Sequence, residues 1–206
     1  MRRSPLSVAA IAISLVLLST ACASSADDDP LAINGDQGFE VESLDDLDPI
    51  QPDTGLSGGK APTSDDIVQA ALVDVDAFWS REYEGLYGEE YETVSGGFWP
   101  YGPESEQPPC GDPAPVYDEI AENAFYCPSA DLVAWDNVNL VPGMYEQYGG
   151  FTLGIVFAHE FGHAIQTRAE VEGDTIMTEL QADCFAGAWP QDVAAGNSDY
   201  FELTLD

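Results

Sequence analysis

The sequence that decides the fold and chemistry of this chain is Phe157-Ala-His-Glu-Phe-Gly-His-Ala-Ile-Gln166. It lies within residues 151–168, where apolar side chains recur at helical spacing and predict a helix. His159 and His163 are four residues apart, so a helix places both imidazoles on one face, within reach of one metal ion. Glu160 is rotated away by one residue, so its carboxylate can reach a water molecule on that metal. This arrangement is typical of zinc hydrolases.

The composition places all of the chain's histidine in this motif. The 206 residues include two His and 38 Asp and Glu, against 5 Lys and Arg, for a formal net charge of -33. Such a charge excludes nucleic acid as a partner, because binding to phosphates depends on Lys and Arg. It also excludes electrostatic attraction to anionic lipid headgroups. A hydrophobic content of 45% still allows a folded core with an acidic surface.

A second helix is predicted from residue 174 or 175 to residue 189, where Pro190 is expected to end it. Its acids Glu179 and Asp183 are also four residues apart, on an otherwise apolar segment where unpaired burial would be costly. A catalytic zinc takes three protein ligands and keeps a fourth position open. Glu179 can be the third ligand, and Asp183 can accept the outer N–H of a ligand histidine.

Two alternatives to this assignment stay open at the level of sequence. In the first alternative, Glu179 and Asp183 form an exposed acidic stripe on an amphipathic helix and bind no metal. The roles could also be reversed, with Asp183 as the ligand and Glu179 outside the coordination sphere.

The N-terminus has the pattern of an export signal over residues 1–22: two arginines, an apolar run and small residues. Two types of processing are consistent with it, cleavage by an ordinary signal peptidase or lipidation of Cys22, and the polar sequence that follows favours lipidation. Residues 23–62 are rich in Asp, Gly, Pro and Ser without a sustained period, and are interpreted as an acidic disordered linker. The folded domain is therefore assigned to residues 63–206. We expect an exported protein, anchored by lipid at the outer face of the cell membrane or secreted.

Other elements are predicted from capping and periodicity. Thr63 precedes two acids and an apolar face at 3.6-residue spacing, which predicts a helix through residue 79. A short strand is predicted near residues 92–99, and two more at residues 124–127 and 131–136.

Export makes disulfide bonds possible. With Cys22 assigned to lipid, Cys110 and Cys127 are the natural pair, closing a loop across a Pro-rich stretch. Cys184 lies within an apolar helical pattern and is expected to be a buried thiol.

The quoted stretch, followed by Glu179-Leu-Gln-Ala-Asp-Cys-Phe-Ala-Gly-Ala-Trp189, resembles the bacterial putative neutral zinc metallopeptidase family. The upstream segments Cys110-Gly111 and Phe125-Tyr126-Cys127-Pro128, followed by Asp131, also resemble that family. The resemblance covers about residues 110–189, with a fainter match at residues 63–79.

The resemblance implies an α+β, zincin-like metallopeptidase domain that binds Zn²⁺ and cleaves peptide or protein substrates. Carried onto this chain, it implies His159, His163 and Glu179 as zinc ligands and Glu160 as general base. The chain departs from the family in the short connection at residues 169–175 and in stopping at Asp206. These departures lead us to expect a truncated member with intact metal binding and weak or absent turnover.

Two rival functions remain: a non-enzymatic, zinc-stabilised surface lipoprotein or inactive peptidase, and a hydrolase of non-peptide amides.

The strand at residues 131–136 is expected to pair with an extended substrate. Candidate oxyanion donors are backbone N–H groups, a residue beyond Asp206, Arg168, and Tyr145 and Tyr148. Arg168 is instead expected to cap its helix and meet an acid at position 170 or 172. The two tyrosines are placed in a loop before the metal-binding helix, with plain packing as their alternative role. The sequence does not indicate an oligomeric state.

Overall fold

The computed structural model describes residues 62–171 and 173–203. The predicted export signal, Cys22 and the linker up to residue 61 lie outside the described residues, as do position 172 and residues 204–206.

Within the described residues the chain is a mixed α/β protein of five helices and three strands, which is compatible with the α+β prediction. In chain order these are α1 (Ser64–Tyr87), β1 (Gly97–Tyr101), α2 (Tyr117–Ile120), β2 (Ala124–Cys127), β3 (Leu132–Asp136), α3 (Leu140–Tyr148), α4 (Gly150–Arg168) and α5 (Thr175–Ala194). None of the described helices is long and apolar enough to span a membrane.

The start of α1 is fixed by a reciprocal cap. The Thr63 hydroxyl accepts the backbone N–H of Asp66 at 3.2 Å, and the Asp66 carboxylate accepts the backbone N–H of Thr63 at 2.7 Å. Two N–H groups that the helix leaves unpaired are satisfied in this way. The predicted start is confirmed, and the helix continues two turns past residue 79 to end at Tyr87. It is capped by Gly88, whose φ of 76° suits glycine.

The helix α4 lies at the centre of the fold, packed against α1, α3, α5 and β2. Two of its glycines allow close approach of α5. A Cβ at Gly154 would lie 2.3 Å from the ring of Trp189, and one at Gly162 would lie 3.0 Å from the Cα of Ala182.

The three strands form one sheet in the order β1-β3-β2, with β1 parallel and β2 antiparallel to β3. Because β3 is paired on both sides, the expectation that it adds a substrate strand is wrong. The first strand also begins later than predicted, at Gly97. The carbonyl groups of Glu92 and Thr93 accept hydrogen bonds from Arg168, so they are not paired in the sheet.

The helix α5 passes through Pro190 and ends at Ala194, so the expected end at Pro190 is wrong. Proline removes one backbone hydrogen bond from a helix. However, Trp189 and Val193, on either side of that proline, are both buried, so packing favours a continuous helix.

The predicted disulfide between Cys110 and Cys127 is present, and it ties a loop to the end of β2. The prediction that Cys184 is buried is wrong, because this thiol is exposed. Only a narrow stripe of α5 faces the core, and Cys184 lies outside it. The stripe consists of Ala182, Ala186, Trp189 and Val193.

Candidate metal centre

The helix α4 brings its two histidines together, as the sequence predicts. The Nε2 atoms of His159 and His163 are 3.2 Å apart, and each side chain is 22% exposed. Helical geometry alone produces this juxtaposition, because residues four apart lie one above the other.

The helix α5 adds a carboxylate to this pair. Oε2 of Glu179 lies 3.3 Å from Nε2 of His159 and 3.5 Å from Nε2 of His163. Among the described residues, these three form a His and acid cluster whose ligand atoms could all contact one ion. The spacing suits zinc, because bonds of about 2.0 Å in a tetrahedron place neighbouring ligand atoms about 3.3 Å apart.

The outer nitrogens of the two imidazoles have acceptors as partners. Nδ1 of His159 lies 2.9 Å from Oδ1 of Asp183, and Nδ1 of His163 lies 3.0 Å from Oε1 of Gln166. A neutral imidazole has one N–H, which these partners hold at Nδ1. Both Nε2 atoms then present lone pairs to each other and to the carboxylate of Glu179. Three acceptors that converge without a shared proton form a site suited to a cation.

The predicted cost of burying the acids of α5 does not explain their position. The side chain of Glu179 is 50% exposed and that of Asp183 is 66% exposed. Both acids nevertheless turn towards the histidines. The arrangement differs from a plain acidic stripe, and it places Glu179 at the inner nitrogens and Asp183 at the outer one.

Glu160 is the buried member of the site, with 8% exposure. Its Oε2 accepts the backbone N–H of Tyr126 at 2.9 Å, which joins the helix to strand β2. Burial raises the pKa of Glu160 to about 8; the N–H of Tyr126 opposes this shift, and the negative charge of Glu179 adds to it.

A cleft of about 580 Å³ opens over these groups. One wall is the segment that contains β2, and the other comes from the end of α4 and the start of α5. The lining includes Ala124, Tyr126, Glu160, Gln166, Val171 and Thr178.

Arg168 and the two candidate tyrosines lie elsewhere. The Arg168 guanidinium pairs with Asp131 at 3.2 Å rather than with Glu170, so that predicted contact is wrong, and position 172 lies outside the described residues. Tyr145 and Tyr148 belong to α3 rather than to a loop. The Tyr145 hydroxyl donates to the carbonyl of Pro62, and Tyr148 is exposed. His159 lies about 13 Å along α4 from the first residue of that helix.

Two residues of the site were missed by sequence reasoning. Gln166 was quoted in the motif without a role, although it lies one turn beyond His163, and a residue three positions further along a helix is within reach. Tyr126 acts through its backbone N–H, for which a side-chain pattern carries no signal.

The protein is therefore a mixed α/β protein with a candidate metal centre, formed by two histidines and one glutamate on two neighbouring helices. The chain matches the family described as putative neutral zinc metallopeptidase over residues 13–203, and it belongs to that family. The resemblance in the sequence is thereby confirmed, and the family suggests a zinc-dependent protease.

Two relatives of this chain show how much of its length is shared with other bacterial proteins. It is 37% identical over 84 residues to the uncharacterized protein YpfJ of Escherichia coli strain K12. The aligned region covers 32% of this chain and 29% of YpfJ. It is 29% identical over 168 residues to the uncharacterized protein Rv2575 of Mycobacterium tuberculosis strain H37Rv. The aligned region covers 72% of this chain and 53% of Rv2575. The chain thus spans about half or less of the length of these relatives. No solved structure matches it significantly.

Proposed function

We propose that this protein hydrolyses peptide bonds at a zinc ion held by His159, His163 and Glu179. The observation that carries the proposal is the convergence of three acceptor atoms, 3.2 to 3.5 Å apart, beside the buried carboxylate of Glu160. Two neutral nitrogens and one carboxylate are the ligand set of several catalytic zinc sites, which leave a position open for water.

Bound zinc supplies Lewis acidity, which activates water and polarises a carbonyl group. A Zn²⁺ ion held by the cluster would favour the carboxylate form of Glu160 and lower its pKa below that of the metal-free site. Glu160 would then act as the general base, accepting a proton from the attacking water and returning it to the departing amine. Its position suits this role, because it lines the cleft beside both histidines while its Oε2 is held by the N–H of Tyr126. Asp183 and Gln166 keep the imidazole protons on the outer nitrogens, so the inner lone pairs stay available.

The free edge of β2 is the surface proposed to bind the substrate backbone. The N–H of Tyr126 points away from β3 and into the cleft, because it donates to Glu160. In an antiparallel strand, residues two apart present their backbone groups to the same side, so Ala124 faces the cleft as well. Because Glu160 already accepts the N–H of Tyr126, an extended peptide would pair with the backbone groups of Ala124, a mode of binding that recognises the backbone more than the side chains.

The charge of the protein favours basic substrates. Among the described residues Arg81 and Arg168 are the only arginines or lysines, and each is paired with an aspartate. A field this negative attracts cationic peptides and repels acidic ones, and salt weakens the effect. Cleavage of a Lys-rich peptide should therefore exceed that of its Glu-rich counterpart at low salt, and the gap should narrow at high salt.

Two other functions compete with this one. A purely structural zinc site has no need of a base, and the position of Glu160 in an open cleft argues against it. Hydrolysis of a non-peptide amide would use the same groups, so a substrate panel has to separate the two activities.

For cellular location we propose export with a lipid anchor on Cys22. The support is the sequence pattern of residues 1–22 and the polar residues that follow. Labelling with a fatty-acid analogue should mark the wild-type protein but not Cys22→Ala, which should be released from membranes. An unmodified mature N-terminus would instead identify ordinary secretion.

The proposed activity is tested by metal analysis joined to a peptide-cleavage assay on the 206-residue chain. We expect about one zinc per chain, loss of cleavage on chelation, and recovery when zinc is restored. Absence of bound zinc would contradict the metal assignment. Full zinc occupancy without cleavage of any peptide would favour the non-enzymatic lipoprotein or the inactive peptidase over an active enzyme.

A further inference from the structure

Gln166 is a buried amide at the junction of the two ligand-bearing helices, with 6% exposure. Its Oε1 lies 3.0 Å from Nδ1 of His163. Its Nε2 lies 2.6 Å from the backbone carbonyl of Thr178 and 3.1 Å from Oε1 of Gln181. Thr178 directly precedes Glu179 in α5. One side chain therefore contacts a histidine of the cluster and the residue before its carboxylate.

The orientation of this amide follows from its partners. A backbone carbonyl can only accept, so the end of Gln166 at Thr178 must be the NH₂ group. The other end is then the carbonyl oxygen, which accepts the Nδ1–H of His163. Rotating the amide by half a turn would place acceptor against acceptor at Thr178. The network thus has one consistent arrangement.

The two histidines differ in what holds them. His159 is held by the carboxylate of Asp183, whose side chain is 66% exposed and open to competition from water. His163 is held by a buried amide that also contacts α5 twice. A buried hydrogen bond is less exposed to such competition, and leaving its partners unsatisfied is costly.

We propose that Gln166 is a positioning residue that couples the third ligand to the first two. It fixes the tautomer of His163 and, through Thr178, fixes the part of α5 that carries Glu179. This inference rests on the proposed zinc site. The role requires both ends of the Gln166 amide. The carbonyl oxygen holds His163, and the NH₂ group holds the carbonyl of Thr178.

Three substitutions separate the contact of Gln166 with His163 from its contacts with α5. Gln166→Met keeps the approximate volume and removes both ends. Gln166→Glu keeps an acceptor for His163 but removes the donors to Thr178 and Gln181. Gln181→Met removes one acceptor and is the mildest change, which keeps the test informative if Gln166 variants fold poorly. Gln69→Met is the matched control, because Gln69 is a similarly buried amide on α1, at 8% exposure, that does not line the cleft.

Zinc affinity is measured by competition with a chromophoric chelator, using zinc alone as ligand. Loss of such an outer partner usually costs about 10- to 100-fold in metal affinity, and this is expected for Gln166→Met. Gln166→Glu should lose less than Gln166→Met, Gln181→Met less than about tenfold, and Gln69→Met should stay within about threefold. Zinc affinity of Gln166→Met equal to that of Gln69→Met would overturn the proposal.

Hydrogen exchange of the metal-free protein tests the contact with α5 separately. Amides at residues 178–182 should exchange faster in Gln166→Met and Gln166→Glu than in wild type, and should be unchanged in Gln69→Met. Unchanged exchange in both Gln166 variants would overturn the coupling. Failure of the wild-type protein to bind zinc would instead contradict the proposed function, and the exchange measurement would still report on the contact.

Discussion

The two helices that supply the metal cluster differ in how they are held. In α4 the residues on the core side are large and buried, among them Leu153, Phe157, Phe161 and Ile165. In α5 the buried stripe is narrow, and Ile176, Met177 and Leu180 are exposed. The position of the two histidines is therefore fixed by the core. The position of Glu179 depends on a thin contact and on polar partners.

The same difference appears in the exposure of the ligands. Each histidine is 22% exposed, whereas the side chain of Glu179 is 50% exposed. The histidine pair is built into the scaffold, and the carboxylate closes the cluster from the solvent side. Metal binding should accordingly depend more on α4, and the order around α5 should depend more on the metal.

The largest expected effect comes from removing ligands on the two helices in turn. Structural zinc sites bind with about 10–16 kcal/mol shared among their ligands, so His163→Ala should weaken zinc binding by on the order of a thousandfold. Glu179→Ala should cost less, on the order of a hundredfold, because water can replace a half-exposed carboxylate. Chelator competition measures both. Equal losses would show that the two helices contribute alike, and full zinc retention in His163→Ala would remove that residue from the site.

The next effect tests the packing between the helices. A Cβ at Gly154 would lie 2.3 Å from the buried ring of Trp189, so Gly154→Ala should destabilise the protein by about 1–3 kcal/mol. Gly187→Ala, on α5, places its new Cβ in open space, with no contact within 4 Å beyond the adjoining residues and backbone of its own helix, and should stabilise that helix by up to about 1 kcal/mol. Urea unfolding of both variants gives the comparison. A neutral Gly154→Ala would mean that α5 can shift along α4 at little cost.

A smaller effect concerns the contact between α1 and α5, where Nε1 of Trp189 donates to the carboxylate of Asp74 at 2.7 Å. Burial raises the pKa of Asp74 above its usual 3.8, and hydrogen bonds from Ser198 and Trp189 only partly oppose the shift. The folded protein thus binds this proton more tightly than the unfolded chain. The stability from Asp74 is complete below its unfolded pKa and is lost as the pH rises through the raised pKa.

Asp74→Asn removes that dependence and can still accept from Trp189, so at pH 7 it should lie within about 1 kcal/mol of wild type. Relative to wild type, the variant should gain stability between pH 4 and pH 7. Urea unfolding at both values measures this change. A relative loss over the same range would show that the sign of the pKa shift is wrong.

The smallest effect is expected on the exposed face of α5. Cys184→Ser changes a thiol that lies outside the buried stripe, so stability should change by less than about 0.5 kcal/mol. Alkylation of the folded wild-type protein should be fast. A slow reaction, or a large loss of stability in the variant, would show that this face is covered.

The sequence predicted α4 well because its signals are local. The spacing of His159, Glu160 and His163 determines their faces on a helix. The start of α1 was predicted for the same reason, since the cap formed by Thr63 lies within one turn of the helix.

The wrong predictions concern features that depend on contacts between residues far apart in the sequence. The helix α5 continues past Pro190 because Trp189 and Val193 pack into a core built from other elements. Among the residues that the structure describes, the acid paired with Arg168 is Asp131, 37 positions earlier in the chain. The order of strands, which places β3 in the centre, also depends on pairing that alternation in a single strand does not reveal.

The most direct test of the central claim compares wild type with Glu160→Gln in two measurements on the same preparations, bound zinc and peptide cleavage. The carboxamide keeps the shape of the side chain but cannot accept the proton, and general-base catalysis usually contributes about 10²- to 10⁴-fold. We predict equal zinc content and cleavage reduced by at least about a hundredfold. A Glu160→Gln rate within a few-fold of wild type, at equal zinc content, would contradict the account.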